Sequence, residues 1–414
     1  MKDVIVSIDI GTTKICTLIG TINKIGQLEI YGKGYVPCNS VKKGVIVDIE
    51  AISEAIKHSV EQAEEEAGFK VGSAYVNIYG VHTTILNDKQ GIELSDDGSK
   101  AITTDDLDRL YDKFERIPVP AGSQIIDIIP REFIIDGYDS IKDPIGMSGF
   151  HLEMDADIIA GKYISVQNII KSVEKAGLEV DGIIMGAYAL SELALTPEEI
   201  EQGVLLIDIG GGITDISAYK NGKIQMYDSI PVGGEHITND ISIGLNISIT
   251  EAEKIKKQYE LALTDLIKND QEISIYDAKE QMYKSVSISQ IVEIIEARTV
   301  EILSLSKSIV EKYMEPEDIN SGIVLTGGGI SYLNGSKQIA NAIYDLPVRI
   351  ATYRSNEGML KTEYATAAGI IKYVNSKNKR SSIVYNNSVK ETNVREKREG
   401  FLEKFIGIIR KIFF

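Results

Sequence analysis

A two-domain α/β protein is the fold class the sequence predicts, and three observations predict it. The chain has 414 residues, beyond the usual span of one hydrophobic core. An apolar run ending in Asp-Ile-Gly occurs twice, about half the chain apart: Val6-Ser7-Ile8-Asp9-Ile10-Gly11-Thr12-Thr13-Lys14 and Leu205-Leu206-Ile207-Asp208-Ile209-Gly210-Gly211-Gly212-Ile213-Thr214-Asp215. A third glycine loop, Thr326-Gly327-Gly328-Gly329, follows another short apolar run. In each repeat a buried strand ends in glycines and hydroxyl residues, a tight turn whose backbone N–H groups can face phosphate oxygens. Two such turns facing each other across a cleft grip a phosphate tail from both sides, with Asp9 and Asp208 holding a hydrated Mg²⁺ between them.

The elements follow in order. Residues 3–9, 15–22 and 28–36 alternate or run apolar between glycine-containing breaks, which predicts a meander of strands. Ile49, Ile52, Ala55, Ile56, Val60 and Ala63 recur at helical spacing, so 49–66 is a helix that stops at Gly68. A strand over 73–79 comes next. From 84 to 161 the texture changes: a polar stretch at 87–100, a short helix near 104–115, Pro118 and Pro120, then strands at 124–129 and 131–136. This segment reads as a small inserted subdomain. Helices are predicted at 165–176 and 181–193, and Thr196-Pro197 supplies an N-cap with proline at the first helical position. After the second phosphate loop, 238–314 is mostly helical with an interruption near 269–288, and a strand over 322–325 leads into the third glycine loop.

Composition narrows the function classes. No run approaches the roughly 18 apolar residues of a membrane span, and the N-terminus lacks the basic start, apolar stretch and cleavage site of a signal peptide. A cytoplasmic location is expected. The two cysteines, Cys16 and Cys38, lie outside any spaced Cys/His cluster, which disfavours disulfides and structural zinc. A net charge of −17 argues against nucleic acid as the main partner. The charge is uneven: from Lys372 onward 11 Lys/Arg face 4 Asp/Glu, leaving this tail at +7 and the preceding body at −24.

Residues 376–400 are polar and charged, with the composition of a disordered linker. Residues 401–414 break that texture. Phe401, Leu402, Phe405, Ile408, Ile409, Ile412 and Phe413 recur at helical spacing, with Lys404, Arg410 and Lys411 among the polar positions. Such a basic amphipathic helix suits an anionic lipid surface better than a partner's groove or a return to the core.

Within the body, no Gly-Lys-Ser/Thr follows a suitable glycine loop, and Gly210-Gly211-Gly212 lacks the Gly-x-Gly-x-x-Gly spacing of a dinucleotide site. The stretch Val232-Gly233-Gly234-Glu235-His236 can bring backbone close to sugar and phosphates. Glu253 and Lys256, at i and i+3, can meet a ribose and adenine edge, although such a pair is more often a solvated salt bridge. The four histidines show no ligand spacing.

The order of phosphate loop, insert, second phosphate loop and adenosine loop resembles the actin/Hsp70/sugar-kinase superfamily. Within it the chain is similar to the FtsA family of bacterial cell-division proteins. The resemblance rests on Ile10-Gly11-Thr12-Thr13-Lys14, Asp143-Pro144-Ile145-Gly146-Met147-Ser148-Gly149, Asp208 to Asp215, Leu325 to Gly329 and the amphipathic end. It covers essentially the whole chain, and the Asp143–Gly149 run is its specific mark. It implies an actin-like (ribonuclease H-like) ATPase fold of four subdomains: 1–83 and 162–196 as 1A, 84–161 as the inserted 1C, 197–237 and 316–375 as 2A, and 238–315 as 2B. By the same resemblance, ATP would be held by Asp9, Gly11, Thr12, Thr13 and Lys14 on one side and Asp208, Gly210, Gly211, Gly212 and Thr214 on the other. Gly233, Gly234, Glu253, Lys256, Gly327, Gly328 and Gly329 would hold the nucleoside.

The implied role is a filament-forming, peripheral membrane protein at the division site. It would tether FtsZ, through the FtsZ C-terminal peptide on 2B, to the cytoplasmic face of the plasma membrane during septum formation, alongside other divisome proteins. Two departures stand out. Ile213 replaces a threonine common in the family, and the stretch Met185-Gly186-Ala187-Tyr188-Ala189 offers no Glu or Gln to orient an attacking water. Weak or absent ATPase activity is therefore expected, with nucleotide acting mainly as an assembly switch. The alternative is a soluble sugar-kinase-like phosphotransferase, which needs an Asp general base and has no use for the basic tail.

Overall fold

The computed structural model describes residues 4–94 and 101–386. Two five-stranded sheets form its frame, and they are built alike. In the first, the meander Ile5–Ile10, Lys14–Ile22 and Leu28–Pro37 is antiparallel, and Ser73–Ile78 and Glu179–Met185 continue it in parallel on the side of the first strand. In the second, Val204–Ile209, Thr214–Lys220 and Lys223–Ile230 form the meander, with Ile323–Thr326 and Val348–Ile350 parallel beside its first strand. Equal order and equal sense place the two Asp-Ile-Gly turns at equivalent corners of the two sheets.

Helix Ile49–Ala67 covers the first sheet, capped by Asp48 and ended by Gly68 in the left-handed conformation. One expectation needs correction. Residues 181–185 are not helical but belong to the strand Glu179–Met185; the helix is Gly186–Ala194. Ile183, Ile184 and Met185 pair with Val76, Asn77 and Ile78, and a short apolar run cannot by periodicity alone be told from a buried helix.

The insert is a four-stranded antiparallel sheet in the order Thr83–Glu93, His151–Lys162, Ser123–Ile135, Tyr138–Ile141. Helix Thr104–Phe114 packs on it, its N-terminus closed by a Thr103–Asp106 capping box. The strands expected at 124–129 and 131–136 are one strand with a bulge at Arg131: Pro130 pairs with Ala156 and Glu132 with Asp155. In the Asp143–Gly149 run, Gly146 N–H donates to Ile102 O and Ile102 N–H to Met147 O, which docks the loop beside this helix.

Between the sheets lie helix Gly186–Ala194 and helix Ala365–Asn386. A Cβ on Gly369 would stand 2.3 Å from Ala189 O, so glycine is what lets the two helices cross at backbone distance. Their apolar faces join Ile5 and Leu18 of the first sheet to Leu206 and Val324 of the second in one core. The last helix extends to Asn386, past the expected linker start at 376, because Tyr373 and Lys377 are anchored on Asp127 of the insert. The rest of the linker and the amphipathic segment lie outside the described residues.

Residues 238–315 carry helices Gly234–Leu245, Ile249–Tyr259 and Ile288–Val310 on the second sheet. The interruption is the hairpin Glu272–Asp277/Met282–Ser287.

Candidate nucleotide site

The two phosphate turns are closed by the same bond: Gly11 N–H donates to Lys14 O at 2.8 Å and Gly210 N–H to Ile213 O at 2.9 Å. They meet face to face. A Cβ on Gly211 would stand 2.7 Å from the Thr13 methyl, and one on Gly212 2.7 Å from the Thr12 methyl. Glycine at both positions is what lets a loop of one domain approach the other.

Asp9 ends its strand almost fully buried, at 4% exposure. Asn77 Nδ2 donates to its Oδ1 at 2.8 Å while Asn77 Oδ1 accepts from Ile10 N–H at 2.7 Å, fixing both strand end and carboxylate. Lys14 Nζ lies 2.5 Å from Asp9 Oδ2 and also donates to Glu363 O. Burial alone would lower the Lys14 pKa, but Asp9 and Cys16 outweigh it and hold the amine protonated well above its ordinary range.

Asp208 and Asp215 face each other on adjacent strands. Burial, then Asp215 and Asp9, push the Asp208 carboxyl up to about 7. Burial pushes Asp215 up to about 6, against hydrogen bonds from Tyr227 and Ser229. Asp9 and Asp208 thus share one lysine beside a third carboxylate, Asp215, an excess of negative charge that a divalent cation would relieve. Among the described residues no three His, Cys, Asp or Glu side chains are grouped to ligate one metal directly.

Two further loops converge on the second turn. Gly234 N–H donates to Gly210 O, Glu235 N–H to Gly211 O and Gly329 N–H to Ile209 O, at 2.7–2.9 Å. A Cβ on Gly233, Gly234 or Gly329 would meet neighbouring backbone at 2.5–2.6 Å, and Gly327 adopts φ +95°. Gly328 alone of these faces open space.

Two assigned residues sit differently from what the sequence suggests. Thr214 is fully buried and its hydroxyl donates to Val232 O at 2.8 Å, so it ties loop to strand rather than lining the cleft. Lys256, only 3% exposed, directs its ammonium to Glu253 (2.7 Å), Thr238 Oγ1 (2.7 Å) and Gly234 O (3.0 Å). It braces the start of helix Gly234–Leu245 and has no donor left for a ligand. Burial lowers its pKa, with Glu253 pulling the other way.

The structure adds Asn77, Tyr79, Asp215 and Tyr227 to the site. Asp215 carried a signal, as the last residue of the quoted loop motif. Asn77 lies near the end of the parallel strand Ser73–Ile78 beside Asp9 and Tyr79 just past it, and Tyr227 arrives by strand register alone.

A family model described as cell division protein FtsA matches residues 205–369, and one described as an SHS2 domain inserted in FtsA matches 80–160. Cell division protein FtsA of Bacillus subtilis is 35% identical over 372 residues, covering 90% of this chain and 83% of that protein. The chain belongs to the FtsA family of cell division proteins. FtsA of Pseudomonas aeruginosa is 33% identical over 373 residues, covering 89% of this chain and 88% of the relative. Among solved structures, the PilM-PilN type IV pilus biogenesis complex superposes with a TM-score of 0.58 at 14% identity, covering 89% of this chain and 97% of that one. MreB5 of Spiroplasma citri bound to ADP gives 0.52 at 19% identity, covering 94% and 99%. The fold of this FtsA-family chain is therefore actin-like, with the FtsA-type insert.

Proposed function

We propose that this protein binds Mg-ATP in the cleft between its two glycine turns, polymerises, and tethers FtsZ filaments to the cytoplasmic face of the plasma membrane at the division site. The observation that carries the nucleotide reading is the cluster of Asp9, Asp208 and Asp215 between turns whose N–H groups can take phosphate oxygens. Asp9 and Asp208 would hold hydrated Mg²⁺, which supplies charge neutralisation for the phosphates. Gly11–Thr13 and Gly210–Gly212 would grip the phosphate tail, and Gly233, Gly234 and Gly327–Gly329 would let the nucleoside lie against backbone. Lys14 would reach a phosphate by exchanging its Glu363 partner. With no Glu or Gln at 185–189, ATP turnover is weak and the nucleotide works as an assembly switch.

Residues 401–414 would anchor the chain by their apolar face and basic rim. For the FtsZ tail peptide, the 2B segment offers an open groove of ≈540 Å³ whose lining joins Ile267, Ala297 and Val300 to the carboxylates of Asp270, Glu293 and Glu296.

The deciding experiment is co-sedimentation with anionic liposomes, full chain against a chain ending at Gly400, with and without Mg-ATP, followed by electron microscopy of the pellets. Pelleting that requires 401–414, with ATP-dependent filaments on lipid, is the expected result. Both versions staying in the supernatant under every condition would overturn the anchor, and phosphate transfer to sugars would replace this reading with the kinase one.

A further inference from the structure

The strand Lys223–Ile230 carries Tyr227 across the domain boundary. Its ring packs against the core of the first domain and against the core between the sheets. Its hydroxyl donates to Asp215 Oδ1 at 2.6 Å. That hydroxyl stands 1.0 Å from where a Cβ on Gly80 would lie, and Asp215 Oδ1 is 2.7 Å from the same point. Gly80 comes just after the strand Ser73–Ile78, whose Asn77 fixes Asp9. A phenol and a carboxylate of the second domain and a turn of the first thus meet at one point beside the carboxylate cluster.

Packing alone does not explain the hydroxyl. Phenylalanine would fill the same apolar surroundings but could not donate to Asp215 Oδ1. The location separates the two ends of the cleft. Lys256, Glu253 and the glycine loops 233–234 and 327–329 belong to the second domain only; Asp9, Asp215, Tyr227 and Gly80 gather where both domains contribute. A nucleotide whose sugar lies at the first end places its terminal phosphate at the second.

We propose that Tyr227 is a positioning residue for the terminal phosphate: it aims Asp215 at the hydrated divalent cation on that phosphate, in the room that Gly80 of the first domain leaves for its hydroxyl. The inference rests on the nucleotide reading above. Gly80 is then part of the same arrangement, since any side chain there displaces the phenol.

The test measures dissociation constants of Mg-AMPPNP and Mg-ADP on the full chain by calorimetry. The proteins compared are the unchanged chain, Tyr227→Phe, Gly80→Ala, Asp215→Asn and the Tyr227→Phe/Asp215→Asn pair, each checked for its melting transition. Tyr227→Phe and Gly80→Ala are expected to weaken Mg-AMPPNP about tenfold, the worth of one hydrogen bond to a charged group, and to leave Mg-ADP unchanged. The paired variant is expected to bind no more weakly than Asp215→Asn, because the phenol acts through that carboxylate. Equal losses for both nucleotides would make Tyr227 a purely structural residue and overturn the inference, as would unaltered Mg-AMPPNP binding or additive losses in the pair. If the unchanged protein binds neither nucleotide, the nucleotide reading itself fails and this inference with it; if unchanged and variant proteins bind alike, only this inference fails.

Discussion

Asp277 closes the hairpin of the 2B segment, accepting from Lys284 Nζ at 2.6 Å and from the N–H groups of Lys279 and Glu280 at 2.9 and 3.0 Å. The Lys284 bond first, then the backbone donors, hold its carboxyl well below the usual carboxylate range. A depressed pKa means the folded chain binds fewer protons than the unfolded one. The stability it contributes is present above the unfolded value of about 4 and is lost as pH falls below it. Asp277→Asn should therefore lower Tm at neutral pH and flatten the acid limb of the Tm–pH curve; limbs of equal slope in both proteins would refute this. Lys256 offers a second test. Lys256→Met leaves Glu253, Thr238 and Gly234 O without their shared donor and should lower stability by about 1–3 kcal/mol in a urea titration, less than for a fully buried pair because Glu253 is partly exposed. At this scale the sequence was legible where chemistry is local. Asp9, Gly11, Asp208 and Gly210–Gly212 were readable because a glycine turn after an apolar strand has one geometry. The bracing role of Lys256, the burial of Thr214 and the reach of Tyr227 depend on which strand lies beside which, and no spacing encodes that.

Elements were legible in proportion to their length and periodicity. Ile49–Ala67 and Thr104–Phe114 emerge within a residue or so of their expected ends, since long amphipathic stripes and caps reinforce each other. Glu179–Met185 did not, because seven residues with a short apolar run fit either state until a neighbouring strand supplies the ladder. The last helix runs past the expected linker start at 376 for a related reason: a polar stretch reads as linker until Asp127, far away in the chain, holds Tyr373 and Lys377. The crossing of this helix with Gly186–Ala194 makes a sharp prediction. With 2.3 Å between a Cβ on Gly369 and Ala189 O, Gly369→Val forces the helices apart and should cost about 1–3 kcal/mol, read as a lower unfolding midpoint. The same change in the open surroundings of Gly328 should be close to neutral in stability. Equal effects at the two sites would contradict the close packing.

For the whole molecule, the charge partition bears on the proposed attachment to a membrane. The body carries −24 and the stretch from Lys372 onward +7, so an anionic bilayer repels the one while attracting the other. On the proposed reading the anchor is only 14 residues long, and a single short anchor opposed by its own body would hold weakly. Assembly changes the arithmetic: in a filament each neighbour's bound tail raises the effective concentration of the next, and avidity can exceed the single affinity by about 10²–10⁴ without a new contact. Vesicle binding should therefore rise steeply with protein concentration when Mg-ATP is present and only gradually when it is absent. Added salt should weaken the tail's attraction and the body's repulsion together, leaving a milder dependence than the +7 tail alone would give. Flotation of labelled protein with anionic vesicles over a concentration series, repeated at low and high salt, reads both. Full binding at concentrations too low for filaments would show that one tail suffices, and would remove assembly from the proposed route to the membrane.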